Sequence, residues 1–274
     1  MNYSVVFDIE RDIDYSAASL WMKENWHVTF FYGAAYVICV FIGRHLMHAR
    51  PGFELRRPLL VWNASLAVFS LMGALRTVPA LLWVINTYGF KYSICDDWFT
   101  RGVTGYWTFL FNVSKCPELV DTLFIILRKR RLVFLHWYHH VTVLVYSWYS
   151  YSESTGAGLW FMSLNYSVHA AMYAYYALRS ADVRLPRWVS VALTSCQLAQ
   201  MVVGMAVSYV AWQLKSAGEA CAGSAVSLKF GLLMYVSYAV LFAHFFWGAY
   251  IQPQKPPMSL TEVDASERRM RKNQ

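Results

Sequence analysis

Residues 133–151 read VFLHWYHHVTVLVYSWYSY, a run of nineteen residues that contains no Asp, Glu, Lys or Arg. At about 1.5 Å per helical residue, a run of this length covers the hydrocarbon core of a bilayer, which is roughly 30 Å thick. The residues just before it, Arg128–Arg131, are all basic. The stretch therefore predicts a transmembrane helix that begins at a basic membrane surface and carries three histidines near that end.

The rest of the chain has the same apolar character. Hydrophobic residues make up 57% of the 274-residue chain and charged residues only 15%, whereas a soluble domain usually has about 25% charged residues. The net charge of +8 is distributed by loop rather than along one face, so it gives no reason to expect nucleic-acid binding. The predicted spans are 28–48, 58–86, 104–127, 133–151, 157–178, 187–213 and 227–251. With no internal repeat, the sequence predicts an all-α integral membrane protein of seven transmembrane helices, forming one domain over residues 1–274.

Lys and Arg are concentrated in alternate loops and in the C-terminal tail. The positive-inside rule then places the N-terminal segment 1–27 in the lumen and the basic tail 252–274 in the cytosol. Cys95 and Cys221 both fall in lumenal loops, where disulfides persist, and we predict that they pair. Asn2 begins the sequence Asn-Tyr-Ser, a glycosylation acceptor that would also be lumenal. Arg76 lies far from the basic loops and is expected to reach the lumenal surface.

Four predicted spans carry polar residues that are expensive to insert, at about 2.5–3.5 kcal/mol for each Asp, Lys or Arg at the bilayer centre. The segments are KCPELVDT (115–122), HWYHH (136–140), NYSVHAAMYAYY (165–176) and TSCQLAQ (194–200). Counted from the nearest basic loop, they fall at a common depth of about 10–20 Å. This alignment predicts one polar layer inside the membrane. The glutamines of TSCQLAQ and the lone His244 of the last span are also compatible with ordinary helix packing.

Three kinds of chemistry are open to such a layer. The spacing HxxHH also occurs in di-iron desaturases and hydroxylases, but only five of the eight histidines lie near the layer, because His27, His45 and His48 fall at the membrane edges. Iron is therefore disfavoured. A seven-helix receptor or transporter fits the spans but gives no role to the clustered histidines. A neutral buried imidazole can instead act as a nucleophile or base, and basic residues around the mouth can bind the phosphates of coenzyme A. Those basic residues are Arg128, Lys129, Arg130, Arg131, Arg179, Arg184 and Arg187.

The four polar segments also occur in the order and spacing of the very-long-chain fatty acid elongases, and the sequence resembles this family nearly from end to end. HWYHH together with VYSWYSY (145–151) most resembles the branch of elongase member six, whose sister branch is member three. The resemblance implies that the last six helices enclose a narrow acyl tunnel. It also implies an enzyme of the endoplasmic reticulum membrane that condenses a long-chain acyl-CoA with malonyl-CoA, releasing CO₂ and CoA.

Residue roles follow from the resemblance. His139 would attack the thioester and hold the acyl group as an acyl-imidazole, and His169 would assist the second half-reaction. The residues that would orient the histidines, move protons or polarise the thioester carbonyl are His136, His140, Lys115, Glu118, Asp121 and Asn165. The residues expected to bind substrate are Arg128, Lys129, Arg130, Arg131, Arg184, Arg187, Tyr173, Tyr176, Gln197, Gln200 and His244. No tightly bound cofactor or metal is expected. The expected partners are the reductases and the dehydratase of the elongation cycle, or other elongase copies in a homo- or hetero-oligomer.

Overall fold

The computed structural model describes residue 3, residues 5–11 and residues 15–252, except for the side chains of residues 15 and 16. Over these residues the chain is helical and contains no β-strand. The helices are α1 (Tyr15–Asn25), α2 (Val28–His48), α3 (Arg56–Cys95), α4 (Gly102–Ser114), α5 (Val120–Leu127), α6 (Phe134–Ser152), α7 (Gly158–Ser180), α8 (Arg187–Ser216) and α9 (Ala225–Phe246). Short turns of helix are 3₁₀ at Asp8–Glu10, Trp98–Thr100 and Pro117–Leu119, and π at Trp247–Ile251. The predicted glycosylation site Asn2 and tail residues 253–274 lie outside the described residues.

The outer surface of the bundle is apolar. In the described part of the chain, four helices are long and apolar enough to cross a membrane: α2, α3, α8 and α9 with its π turn. Large apolar side chains such as Phe31, Val61 and Leu233 are more than 60% exposed, which bulk water would disfavour and lipid would not. The chain is therefore an all-α, multi-pass membrane protein.

Each of the seven predicted segments coincides with helix, but the third is not continuous. The single helix predicted over 104–127 is wrong, because the chain breaks between α4 and α5 at a 3₁₀ turn that begins with Pro117. Proline has no backbone N–H to continue the α-helical ladder. The break directs Lys115 and Glu118 into the interior, where each is less than 5% exposed. At the end of the second segment, Gly89 has a φ of +85° and kinks α3, which then continues to Cys95.

Six of the helical segments form a closed ring. Around it, α4 packs on α3, α3 on α7, α7 on α8, α8 on α9, α9 on α6, and α6 on α4. The α2 helix lies outside the ring against α5 and α6. Glycine permits close approach between neighbours in this ring: a Cβ atom at Gly73 of α3 would lie 2.6 Å from the Tyr166 ring of α7. The histidines of α6 and α7 therefore lie on helices of the same ring.

One end of the bundle, which we call the disulfide end, is tied together covalently. Cys95 at the end of α3 and Cys221 in the α8–α9 loop form a disulfide, with 4.2 Å between their Cα atoms. Next to it, the Ala222 N–H donates to the Cys95 carbonyl at 2.7 Å, and the Gly156 N–H donates to the Ala222 carbonyl at 3.2 Å. Three inter-helix connections are thus held in one place. The opposite end, where α5 runs into Arg128–Arg131, is the basic end.

The N-terminal segment is anchored through Arg76. Its guanidinium donates to both carboxylate oxygens of Glu10, at 2.9 and 3.0 Å, and the Trp107 indole N–H donates to the same carboxylate at 2.8 Å. Glu10 is only 2% exposed. Arg76 therefore lies far from the basic end, as expected, but as the partner of a buried carboxylate.

Candidate active site

A wide cavity of about 880 Å³ extends from the basic end to the level of the histidines. It is bounded mainly by α5, α6, α7 and α8, the helices that carry the four polar segments. The predicted site residues that line it are Asp121, Arg128, Arg130, Arg131, His136, His139, His140, Asn165, His169, Tyr173, Tyr176, Gln197 and Gln200. The polar layer predicted from depth along separate helices is thus brought to the wall of one cavity.

A second, narrow cavity of about 60 Å³ extends from the histidine level towards the disulfide end. On α6 its lining residues follow a single helical stripe, with spacings of three and four residues. The stripe consists of His139, Val143, Tyr146, Ser147, Ser150 and Tyr151, followed by Ser154 just after the helix. His139, Asn165, Gln200 and Met201 line both cavities. His139 therefore lies where the wide and narrow cavities meet.

The ring of His139 is held by packing rather than by polar bonds. Its centroid lies 4.8 Å from the Tyr238 ring and 5.6 Å from the His140 ring. The hydroxyls of Thr142 and Tyr238 donate to the His139 backbone carbonyl, at 3.3 and 3.4 Å. Within the described part of the chain, neither ring nitrogen of His139 takes part in a hydrogen bond. Both nitrogens are thus available to a molecule in the cavities.

His136, one turn earlier, is held by a hydrogen bond. Its Nε2 lies 3.0 Å from the Thr122 hydroxyl of α5, and that hydroxyl lies 2.7 Å from the Tyr36 hydroxyl of α2. The His136 and His140 rings lie 4.5 Å apart, centroid to centroid. Neither Thr122 nor Tyr36 was predicted as a site residue. Tyr36 is a single polar group in an apolar stretch of sequence, and in the segment KCPELVDT, which contains Thr122, only the ionisable residues were assigned a role.

A buried ion pair lies behind the cavity wall. The Lys115 ammonium donates to Glu118 Oε1 at 2.7 Å and to Asn165 Oδ1 at 3.2 Å. The Ser114 hydroxyl donates to the same Glu118 oxygen at 2.9 Å. The other oxygen, Oε2, has no hydrogen bond and lies 4.0 Å from His169 Nδ1. Of the two carboxylates expected to orient a histidine, Glu118 is thus the one beside an imidazole, and that imidazole is His169.

Asp121 has different partners from those expected. One carboxylate oxygen accepts from the Trp62 indole N–H at 2.6 Å and the other from the Tyr173 hydroxyl at 2.7 Å. In the described part of the chain, neither carboxylate oxygen of Asp121 is bonded to a histidine, because its position on α5 directs the side chain towards α3 and α7. Trp62 was not predicted, since nothing in its apolar surroundings marks it as a partner.

Comparison with known proteins decides the family. The sequence profile of the family described as ELO: GNS1/SUR4 matches residues 21–258. This chain belongs to the ELO family. It is 48% identical to "Very long chain fatty acid elongase 6" of Drosophila melanogaster over 258 residues, covering 92% of this chain and 81% of the relative. It is 47% identical to the human protein of the same name over 256 residues, covering 92% and 96%. It is 39% identical to human "Very long chain fatty acid elongase 3" over 233 residues, covering 85% and 86%. The resemblance predicted from the four polar segments, including the branch, is confirmed.

The basic residues of this ELO protein divide into two groups. Arg128, Arg130 and Arg131 line the wide cavity, together with Arg179. Lys129 does not, because its φ of +53° turns it away and its ammonium donates to the carbonyls of His48 and Arg50. The expectation that Lys129 contacts substrate is therefore not supported by its position.

The other basic residues at the mouth also differ from the expectation. Arg184 and Arg187 do not line the wide cavity. The Arg187 guanidinium lies over the Tyr250 ring, 6.0 Å from its centroid, and so holds the π turn that follows α9. Arg56 of α3, not predicted, lines the cavity and forms an exposed ion pair with Asp182.

His244 lies outside both cavities. It is exposed on α9, whereas the wide cavity is lined by Phe242 and Phe245 of the same helix. At about 100° per residue, position 244 falls well away from the stripe shared by 242 and 245. The expectation that His244 contacts substrate is therefore not supported by its position. Gln197 lines the cavity and donates to the Met172 sulfur at 3.2 Å.

The side chains do not form a metal-binding set. Among the described residues, no group of three or more His, Cys, Asp or Glu side chains converges in a way that would hold a metal ion. The histidines of this ELO protein contact one another edge-on or tilted, as neighbouring aromatic rings do.

Proposed function

We propose that this chain is a 3-ketoacyl-CoA synthase that condenses a long-chain saturated or monounsaturated acyl-CoA with malonyl-CoA through an acyl group carried on His139. The observation that carries the proposal is the position of His139 at the junction of a wide, basic-mouthed cavity and a narrow, mostly apolar one. A fatty acyl-CoA has the same two parts, joined at the thioester. Membership of the ELO family and the similarity to proteins named as very long chain fatty acid elongases support this activity.

The two cavities fit the two parts of the substrate. Arg56, Arg128, Arg130, Arg131 and Arg179 line the wide cavity and would pair with the CoA phosphates. The narrow cavity marks the path of the acyl chain, which would widen it from its volume of about 60 Å³ on entering, and each buried methylene contributes about 0.8 kcal/mol. Its narrowness favours an unbranched chain. The thioester carbon then lies beside His139.

The proposed chemistry proceeds in two half-reactions. A ring nitrogen of His139 attacks the thioester carbon, the carbon–sulfur bond breaks, and CoA leaves as a thiolate that takes the proton lost from the other ring nitrogen of His139. Malonyl-CoA then binds in the wide cavity and loses CO₂, which leaves an electron pair on its α-carbon. That carbon attacks the acyl-imidazole carbonyl, the carbon–nitrogen bond breaks, and the departing ring takes one proton from water, which gives 3-ketoacyl-CoA and neutral His139.

Neighbouring polar groups support His139 in this scheme. His169 lines the wide cavity, and we assign to it the second half-reaction, with Glu118 setting its ring orientation through Nδ1. Lys115 fixes Glu118 and Asn165 together. Asp121 holds Tyr173 at the cavity wall. Tyr173, Tyr176, Gln197 and Gln200 would contact substrate from α7 and α8.

We further propose that the chain is one domain with seven transmembrane spans, one of them the broken pair α4–α5, and that the ring of six helical segments encloses the acyl tunnel. The basic end would face the cytosol, and the disulfide end and Asn2 the lumen of the endoplasmic reticulum. The positive-inside rule and the compartment preference of disulfides support this orientation. The reductases and dehydratase of the elongation cycle, or other elongase copies, would be its partners.

The experiment uses purified protein with palmitoyl-CoA, first alone and then with malonyl-CoA. Free CoA and the intact mass of the protein are followed by mass spectrometry. We expect one acyl adduct per chain on His139, discharged by malonyl-CoA as 3-ketoacyl-CoA, and no adduct on the variant His139→Ala. Product without any adduct would remove the nucleophile role of His139 and keep the synthase. Neither product nor adduct across several acyl lengths would overturn the proposed function.

A further inference from the structure

Three helices are joined through their side chains by a hydrogen-bonded chain that ends on His136. The Tyr36 hydroxyl of α2, the Thr122 hydroxyl of α5 and Nε2 of His136 on α6 follow one another at 2.7 and 3.0 Å. Thr122 is 1% exposed and Tyr36 is 8% exposed, so water does not compete for these groups. These two hydrogen bonds connect α2, which lies outside the helical ring, with the histidines inside it.

The direction of the hydrogen bonds follows from counting donors. A neutral imidazole has one ring nitrogen that donates and one that accepts. If Nε2 accepts, the Tyr36 O–H donates to Thr122, the Thr122 O–H donates to His136, and both hydroxyl protons have acceptors. If Nε2 donates, the two hydroxyl protons share a single bond, the one between Thr122 and Tyr36, so that one of the two protons has no acceptor among the described residues. Leaving a buried donor unsatisfied is costly. The first arrangement is therefore favoured.

We propose that Tyr36 and Thr122 are positioning residues that fix His136 in the tautomer with its proton on Nδ1. Nε2 is occupied by Thr122, so Nδ1–H is the ring donor left to the wide cavity that His136 lines. This donor stabilises the negative charge that develops on a thioester oxygen during the reaction. The inference rests on the proposed function and deepens it, because it gives His136 one role, that of a fixed donor.

The same hydrogen bonds would form if the chain only held α2 against the ring. The two roles differ in which kinetic constant depends on them. A donor to a transition-state oxygen changes kcat and leaves KM nearly unaltered. A purely structural tether changes the amount of folded protein and not the turnover of the folded fraction.

The test is a set of four variants of the full-length protein, each assayed for CoA release and 3-ketoacyl-CoA formation from palmitoyl-CoA and malonyl-CoA. Thr122→Val is nearly isosteric and removes the donor to His136. Thr122→Ser restores a hydroxyl. Tyr36→Phe leaves Thr122 able to donate but frees it to rotate. The matched control is Thr77→Val, because Thr77 is also fully buried but its hydroxyl donates only to the Gly73 carbonyl of its own helix.

We expect Thr122→Val to lower kcat by roughly 50-fold per folded molecule with KM within about twofold, which is less than the roughly 100- to 1,000-fold loss on removal of a whole oxyanion donor, because the His136 ring stays and loses only its restraint. Thr122→Ser should recover most of this loss, Tyr36→Phe should lie between them, and Thr77→Val should keep the parent kcat. Thermal unfolding in detergent gives the folded fraction of each variant.

Three outcomes overturn the inference. If Thr122→Val and Tyr36→Phe keep the parent kcat while His139→Ala is inactive, the hydrogen bonds from Tyr36 through Thr122 to His136 have no part in the reaction, and the proposed function stands. If Thr122→Ser fails to recover kcat, or if every loss of activity disappears after correction for the folded fraction, the hydrogen bonds among Tyr36, Thr122 and His136 only hold α2 against the ring. If the parent protein forms no product, the proposed function falls and the inference falls with it.

Discussion

The stripe of lining residues on α6 gives the depth of the narrow cavity, which can be compared with the length of an extended acyl chain. Ser147 lies eight residues after His139, which is about 12 Å along the helix. An extended chain advances about 1.2 Å per bond, so an acyl group on His139 reaches Ser147 near its eleventh carbon. A C16 chain continues roughly five carbons further, past Ser150. Replacing Ser147 with Phe would fill the cavity at this level and displace those five carbons. At about 0.8 kcal/mol each, the loss is about 4 kcal/mol, or close to 1,000-fold in kcat/KM.

The assay measures kcat/KM of Ser147→Phe for acyl-CoAs from C8 to C18 against the parent protein. We expect the C16 value to fall by two to three orders of magnitude, the C12 value by less than about tenfold, and the C10 value to stay near that of the parent. Ser147→Ala, which removes the hydroxyl without adding bulk, should keep C16 as a substrate. Equal losses at C10 and C16 would mean that the variant damages the fold or the histidines. An unaltered C16 value would refute the placement of the acyl chain in this cavity.

Three further predictions concern interactions around the site. Glu118→Gln leaves the Lys115 ammonium buried without a counter-charge, which should cost about 3–5 kcal/mol in the free energy of unfolding; the double variant with Lys115→Met should recover stability but not turnover, as followed by thermal unfolding and product formation. Glu10→Gln weakens the anchor of the N-terminal segment and should lower the thermal midpoint while sparing kcat per folded molecule; a large fall in kcat would contradict this role. Cys221→Ser removes the disulfide with Cys95, so it should lower the free energy of unfolding by up to about 5 kcal/mol and abolish the change in gel mobility on reduction. A parent protein that shows no such change in mobility would have no disulfide.

The sequence predicts the polar layer because depth in a membrane can be counted from a basic loop. His136, His139 and His140 share a helical face, and His169 falls at the same depth on the next helix. The structure places all four on the wall of one cavity. Depth does not predict which side chains within the layer bond to each other, since Asp121 accepts hydrogen bonds from partners on two other helices.

The contacts that sequence reasoning missed are long-range and single. Tyr36 and Thr122 are 86 residues apart, and Glu10 and Arg76 are 66 residues apart. Thr122 and Glu10 belong to the charged segments KCPELVDT (115–122) and DIERDID (8–14), but nothing in either segment indicates a partner as distant as Tyr36 or Arg76. The break between α4 and α5 could have been predicted from Pro117. The largely apolar run 104–127 was long enough to favour one continuous helix instead.

The side chains that contact the histidines also indicate which histidine forms the covalent bond. His136 is bonded through Nε2 to Thr122, and His169 has Nδ1 facing the free oxygen of Glu118 at 4.0 Å. Among the described residues, neither ring nitrogen of His139 takes part in a hydrogen bond, its ring packs against those of Tyr238 and His140, and it also lines the narrow cavity. A nucleophile needs an unshared electron pair directed at the substrate, whereas a donor or base needs a partner that fixes its proton. The restrained histidines therefore suit proton positioning, and the unrestrained His139, at the junction of the cavities, suits attack on the thioester.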